Sequence, residues 1–164
     1  MTTRSYEAAH LPQITSIYNH YVARSHVTFD LEPRTESEAT AWASRYAETG
    51  PNRLLVAAVE GSVVAYASSQ PYRPKAAYAT SVELSLYVHH ESRRRGVGRR
   101  LLATLIDQLD AEPLAHRAYG LVALPNDASI RLLNEFGFRE VGITREVGRK
   151  FDQFWDVAIW ERQL

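Results

Sequence analysis

Two adjoining stretches carry residue types whose spacing could do chemistry. In Arg93-Arg94-Arg95-Gly96-Val97-Gly98-Arg99-Arg100, arginines surround two glycines where Val97, Leu101, Leu102, Leu105, Ile106 and Leu109 begin to recur at helical spacing. The first amides of such a helix have no intrahelical partners, so amides, helix dipole and arginines together favour an anion. Gly96 and Gly98 let backbone approach a phosphate with no side chain in the way; the alternative is a solvated basic turn. The lysine-hydroxyl ending of a nucleotide-triphosphate loop and the three-glycine dinucleotide spacing are both missing, so a diphosphate held here need belong to neither class. Immediately upstream, Ser81–Val88 alternates, with Val82, Leu84, Leu86 and Val88 on one face and Ser81, Glu83, Ser85 and Tyr87 on the other. A half-buried strand thus delivers Glu83 and Ser85 close to a candidate diphosphate turn.

The elements that must position these residues fit one domain, 1–164. A chain of this size buries roughly two-thirds of its unfolded surface and needs no disulfide or metal to stand. The 19 basic and 19 acidic residues cancel, so the arginines are a local feature suited to a small anion rather than to nucleic acid or a membrane surface. Arg93 to Arg100 carries no interleaved aromatics of the kind that stack on single-stranded RNA. With no cysteine, a thiolate zinc site and a cysteine nucleophile are excluded. His89 and His90 would face opposite ways if the strand continued, and no metal is expected. No apolar signal core or membrane-length run occurs, making a cytoplasmic protein the default.

Along the chain, residues 3–7 read as a strand and Leu11, Ile14, Ile17, Tyr18, Tyr21 and Val22 as a helical stripe, with an extended piece at Val27–Asp30. Thr35 and Glu38 form a capping box opening a helix through about Glu48. Strands follow at roughly 53–60, 62–70 and 80–89, then the basic turn and a helix at about 97–111. A strand at 119–124, a helix capped by Asn126 or Asp127 and ended by Gly137, and strands at about 138–146 and 153–162 complete an α+β domain with a mixed sheet.

This order of elements, with Arg93, Gly96 and Gly98 in the turn, resembles the GNAT superfamily of acetyl-CoA-dependent N-acetyltransferases. Four blocks are similar to its phosphinothricin acetyltransferase branch: IYNHYVARSHVTFDLEPRT at 17–35, RPKAAYATSVELSLYV at 73–88, LPNDASIRLLNEFGF at 124–138 and GRKFDQFWDV at 148–157. The resemblance implies about seven strands flanked by about four helices, and acetyl-CoA in a cleft between splayed parallel strands. Pantetheine would pair with Leu86, Tyr87 and Val88, the diphosphate would lie on Arg93, Arg94, Arg95, Gly96, Val97, Gly98 and Arg99, and Asn126 would face the cofactor arm. A helix N-cap is the other role open to Asn126.

The family's base position falls on Glu83. An amine must lose a proton to attack a thioester, and a carboxylate lowered into a cleft gains proton affinity towards the useful range; the alternative is a surface ion pair. An amide near Leu86 to Val88 would stabilise the resulting oxyanion in a direct transfer. Around the acceptor the resemblance places Phe29, Arg73, Lys75, Tyr78 and Ser85, with Arg73 and Lys75 on carboxylate or phosphinate oxygens and Phe29 and Tyr78 as walls. Leu133 stands where the family often has tyrosine or histidine and cannot protonate a thiolate. The implied acceptor is a small amino acid or analogue of phosphinothricin, methionine sulfoximine or methionine sulfone type; peptide N-termini, or acetyl-CoA sensing without catalysis, are the alternatives. Trp155, Val157, Ile159 and Trp160 lie in a region that would help form a homodimer, or would simply pack the last strand.

Overall fold

Alternation along the central strands gives one sheet two apolar faces, each covered by its own helices. The computed structural model describes residues 1–93 and 95–164. In chain order the elements are β1 (Thr2–Ser5), α1 (Leu11–Arg24), α2 (Glu36–Ala43), β2 (Leu54–Val59), β3 (Ser62–Pro71), β4 (Ser81–Val88), α3 (Val97–Asp110), β5 (Arg117–Ala123), α4 (Asp127–Glu135), β6 (Arg139–Lys150) and β7 (Gln153–Gln163). The sheet order is β1-β2-β3-β4-β5-β7-β6. Among the described residues only β4 and β5 are parallel neighbours. This is the mixed seven-stranded sheet with four α-helices expected above.

On one face Leu101, Leu105 and Leu109 of α3 pack against Leu55, Ala65, Ala67, Val82 and Leu84. On the other, Ile14, Ile17, Tyr18, Tyr21 and Val22 of α1 cover Leu54, Val56, Val63 and Tyr66, with Tyr87 packed alongside. The small residues of β2 and β3 let α3 come close. The polar side of β4 therefore looks toward α1 rather than toward solvent.

Three sequence-derived boundaries differ. The capping box forms, with Thr35 N donating to Glu38 Oε2 at 2.8 Å, but α2 ends at Ala43 rather than Glu48. There Arg45 N and Tyr46 N bond back only three residues, to Trp42 O and Ala43 O, and the Tyr46 ring settles 5.0 Å from Trp42. Val27–Asp30 is irregular rather than extended, because polar side chains described below hold it. β6 runs on past 146 to Lys150 through a register shift between Thr144 and Gly148, with Glu146 at φ 51° and its N–H donating to Asp156 Oδ1 at 2.7 Å. The bulge interrupts the alternation without ending the strand.

The parallel pairing is short. Ser81, Val82 and Glu83 stand opposite Arg117, Ala118 and Tyr119, after which β5 from Gly120 to Ala123 keeps only β7 as neighbour. Among the described residues no strand lies beside one edge of β4 from Leu84 to Val88, and a cleft opens. No described helix is long and apolar enough to cross a membrane.

Candidate active site

One end of the cleft is the basic turn. Gly96 is the N-cap of α3 at φ 72°, the left-handed conformation that glycine adopts freely. Val97 is buried in the core, so only its backbone is available to a ligand. Gly98 packs on β4, where a Cβ would stand 3.1 Å from Val88 Cγ2 and 3.2 Å from Leu86 Cδ2. Its smallness thus brings the amide-rich start of α3 against the open strand edge. Arg95 is exposed and Arg99 is ion-paired with Glu135 of α4. Arg94 lies outside the described residues. Arg93 Nε donates to the Tyr21 hydroxyl at 3.2 Å, and that hydroxyl donates to Val88 O at 2.5 Å. Tyr21, visible in sequence only as part of an apolar stripe, thus ties the end of β4 to the turn. Asn126 is the N-cap of α4, its Oδ1 accepting from Ser129 N at 3.2 Å.

Glu83 stands where the strands part. It lines a cavity of about 390 Å³ together with Phe29, Ser85, Tyr87, Gln70, Leu121 and Val157 among others. Burial raises its pKa above the ordinary carboxylate value, while the Arg73 charge and the cross-strand Gln70 work against that rise. A carboxylate held in this way is a better proton acceptor than one in water.

The remaining acceptor positions divide. Phe29 and Ser85 line the cavity. Arg73 and Tyr78 gather beside it, Arg73 Cζ lying 4.4 Å over Tyr72, with Tyr78 6.2 Å from the same ring. Tyr72 in turn stacks at 4.1 Å on Tyr119, the residue opposite Glu83. Lys75 is exposed at the N-cap of a short 3-10 turn spanning Ala76–Tyr78 and does not line the cavity.

Sequence reasoning missed the polar cluster that closes the cavity floor. The Tyr18 hydroxyl donates to Asp30 Oδ2 at 2.6 Å and lies 2.8 Å from the Thr28 hydroxyl. Burial and the Asp30 contact push the Tyr18 pKa up to about 12. Lys150 is 4% exposed and its Nζ donates to Thr28 O at 2.8 Å; burial lowers its pKa. Gly148 leaves room for the Phe29 ring, since a Cβ there would stand 2.5 Å from Phe29 Cζ. These contacts hold residues 27–30 as a cavity wall. The sequence shows Lys150 only as one more lysine, and lysines are normally surface groups.

Leu133 is buried and packs over Gly120, where a Cβ would be 2.9 Å from Leu133 Cδ1. This position of α4 therefore delivers a side chain onto β5 just past the point where β4 departs. Tyr87 and Tyr119 both have pKa values raised by burial. His89 and His90 do not face opposite ways, because the chain leaves the strand at Val88 and His90–Ser92 forms a 3-10 turn. Their rings lie 4.3 Å apart and His20 stacks on His90 at 4.1 Å; ligand atoms of His89, His90 and Glu91 fall within 4.8 Å of one another. His89 and Glu91 also share a local turn contact, Glu91 N to His89 Nδ1 at 3.4 Å.

Residues 14–138 match the Acetyltransferase (GNAT) family. The chain is 52% identical over 156 residues, 94% of this chain and 91% of the relative, to a phosphinothricin N-acetyltransferase of Streptomyces coelicolor. A GNAT superfamily phosphinothricin acetyltransferase from Sinorhizobium meliloti, solved with AcCoA, superposes with TM-score 0.94 at 30% identity, covering 99% of this chain and 88% of that one. A ribosomal-protein-alanine N-acetyltransferase from Brucella melitensis superposes with TM-score 0.94 at 33% identity over 100% of both chains.

Proposed function

Since the chain belongs to the Acetyltransferase (GNAT) family and is an acetyl-CoA-dependent N-acetyltransferase acting on a small amine, we propose that its acceptor is an amino acid or analogue of the phosphinothricin, methionine sulfoximine or methionine sulfone type, with Glu83 as general base. The observation that carries this reading is Glu83 itself, a carboxylate with raised proton affinity at the parting of β4 and β5, lining the cavity.

The residues fit the co-substrate: the unpaired edge of β4 suits an extended pantetheine arm, and the amides at Gly96–Arg99 with the arginines suit a diphosphate. Acetyl-CoA supplies the activated acyl group. Glu83 takes the proton of the acceptor's ammonium, directly or through water, and the freed amine would attack the thioester carbonyl without a covalent enzyme intermediate, the C–S bond breaking as the N–C bond forms and CoA leaving as the thiol with the proton the nitrogen gives up. Phe29 and Ser85 limit where the amine can sit, and Arg73 tunes the base. Tyr21 positions Val88 and Arg93, so that strand edge and turn form one surface.

The test is thiol release from acetyl-CoA across L-phosphinothricin, methionine sulfoximine, methionine sulfone, common amino acids and N-terminal peptides. Saturable turnover with the small analogues supports the reading. Activity confined to peptides would replace it with peptide N-terminal acetylation, a protein substrate being also what the name of the Brucella melitensis ribosomal-protein-alanine N-acetyltransferase carries. Self-association belongs to the same proposal: Val141, Val147 and Phe154 are exposed on the β6–β7 hairpin, with β6 at the sheet edge. A dimer in sedimentation equilibrium that dissociates in Phe154→Asp would support it.

A further inference from the structure

Arg34 is a cavity residue the chemistry above leaves unused. Its side chain is 15% exposed, and its guanidinium carbon lies 4.2 Å over the Tyr18 ring and 4.8 Å over Trp42. Asn19 fixes its backbone from both sides: Arg34 N donates to Asn19 Oδ1 at 2.8 Å, and Asn19 Nδ2 donates to Arg34 O at 2.9 Å. A guanidinium offers five N–H donors in a planar fork. Among the described residues none of these makes a hydrogen bond. Its ion-pair partner Asp30 stands 3.7 Å away, and the oxygen concerned already accepts from Tyr18 at 2.6 Å. A sheltered cation whose only ion pair is long and whose donors make no hydrogen bond among the described residues, pre-set on two aromatic faces, is suited to a bidentate oxyanion.

Its place in the molecule says which oxyanion. Arg34 lines both the Glu83 cavity and a second, more open one that also borders Asp30, Trp42 and Arg45. With Asp30, Trp42 and Arg45 it belongs to the wall that the two share. Asp30 and Glu83 are the acidic side chains lining the inner cavity, Arg34 and Arg45 the basic ones. An acceptor whose ammonium goes to Glu83 can therefore extend its far end to Arg34. Asp30, Glu32 and Glu38 border the outer cavity beside Arg34 and Arg45. Glu38 is engaged by the Thr35 cap, accepting from Thr35 N and Oγ1, and Asp30 accepts from Tyr18 and lies within electrostatic reach of Lys150.

We propose that Arg34 is the receptor for an anionic tail on the acceptor, a phosphinate or carboxylate remote from the amine, and so selects acidic-tailed amino acids over neutral isosteres. The inference rests on the acetylation of an amino-acid-like amine at Glu83 and deepens it by naming the acceptor's second charged group.

The experiment measures calorimetric binding of L-phosphinothricin, with an anionic tail, and of methionine sulfone, with a neutral one, to the CoA-loaded chain. Wild type, Arg34→Gln and Arg34→Lys are compared, with kcat/KM recorded in parallel. Loss of a hydrogen-bonded charge contact predicts about ten- to hundredfold weaker phosphinothricin binding in Arg34→Gln. Sulfone binding should change much less, and Arg34→Lys should restore part of the loss. Equal loss for both ligands, no loss for either, or no binding of either to wild type overturns the inference. If binding discriminates but no acceptor turns over, the acetylation reading falls while the anion site stands. Turnover without discrimination gives the reverse.

Discussion

Glu83 and Tyr119 form the last rung shared by β4 and β5, and one residue later the strands part. The general base candidate thus sits at the apex of the cleft, with paired strand behind it and open strand edge ahead. Burial there raises its proton affinity, and Arg73 keeps that rise in check.

Replacing Glu83 by glutamine should reduce kcat about a hundredfold to ten-thousandfold while leaving acetyl-CoA affinity unchanged. It should not destabilise the fold. The folded carboxyl keeps its proton to a higher pH than the unfolded one, so its contribution to stability declines as pH rises through that interval. Glutamine removes this penalty, and the urea midpoint at neutral pH should be equal or higher.

The acid limb of kcat/KM should lie above the ordinary carboxylate range, because Glu83 must be ionised to act. In Arg73→Met the opposing charge is gone, so the limb should move further up in pH. A limb that stays put or moves down would contradict the role given to Arg73.

Tyr21→Phe removes the donor to Val88 O and the acceptor for Arg93 Nε. The expected cost is about 1 kcal/mol in stability, with a raised KM for acetyl-CoA and an unaltered acid limb. An unaltered cofactor KM would reduce Tyr21 to a packing residue.

Gly148→Ala should act on the acceptor alone. Its Cβ would press on the Phe29 ring, which must then move into or away from the cavity. Acceptor KM should change severalfold, with acetyl-CoA binding measured by calorimetry unchanged.

Arg53 and Glu112 form a sheltered pair at 3.1 Å, with side chains 14% and 11% exposed. Arg53→Met leaves Glu112 without its charged partner, and removing one member of a buried pair costs about 3 kcal/mol. The loss should show in the urea midpoint and not in kcat.

Much of this was legible locally. The alternation of Ser81–Val88, the helical spacing from Val97 to Leu109 and the Thr35–Glu38 box depend on near neighbours in sequence, so strand, helix and cap could be read directly. The helix end at Ala43 and the continuation of β6 beyond Glu146 could not, since aromatic packing of Trp42 on Tyr46 and the Asp156 contact decide them.

The sequence by itself determined the order of the main strands and helices, the amide-rich turn at Gly96 and the presence of one carboxylate on the polar face of β4. Tertiary structure decided that this face is half-buried, with Tyr87 packed against the α1 cluster and Glu83 and Ser85 lining a cavity, and that residues 27–30 are held by Lys150, more than a hundred positions away. It also decided that Arg34 rests on Tyr18 and Trp42, with none of its guanidinium donors hydrogen-bonded among the described residues. Periodicity reports which side of an element is apolar. Proton affinity and ligand choice depend on what is packed opposite, and that is set by contacts between residues distant in the chain.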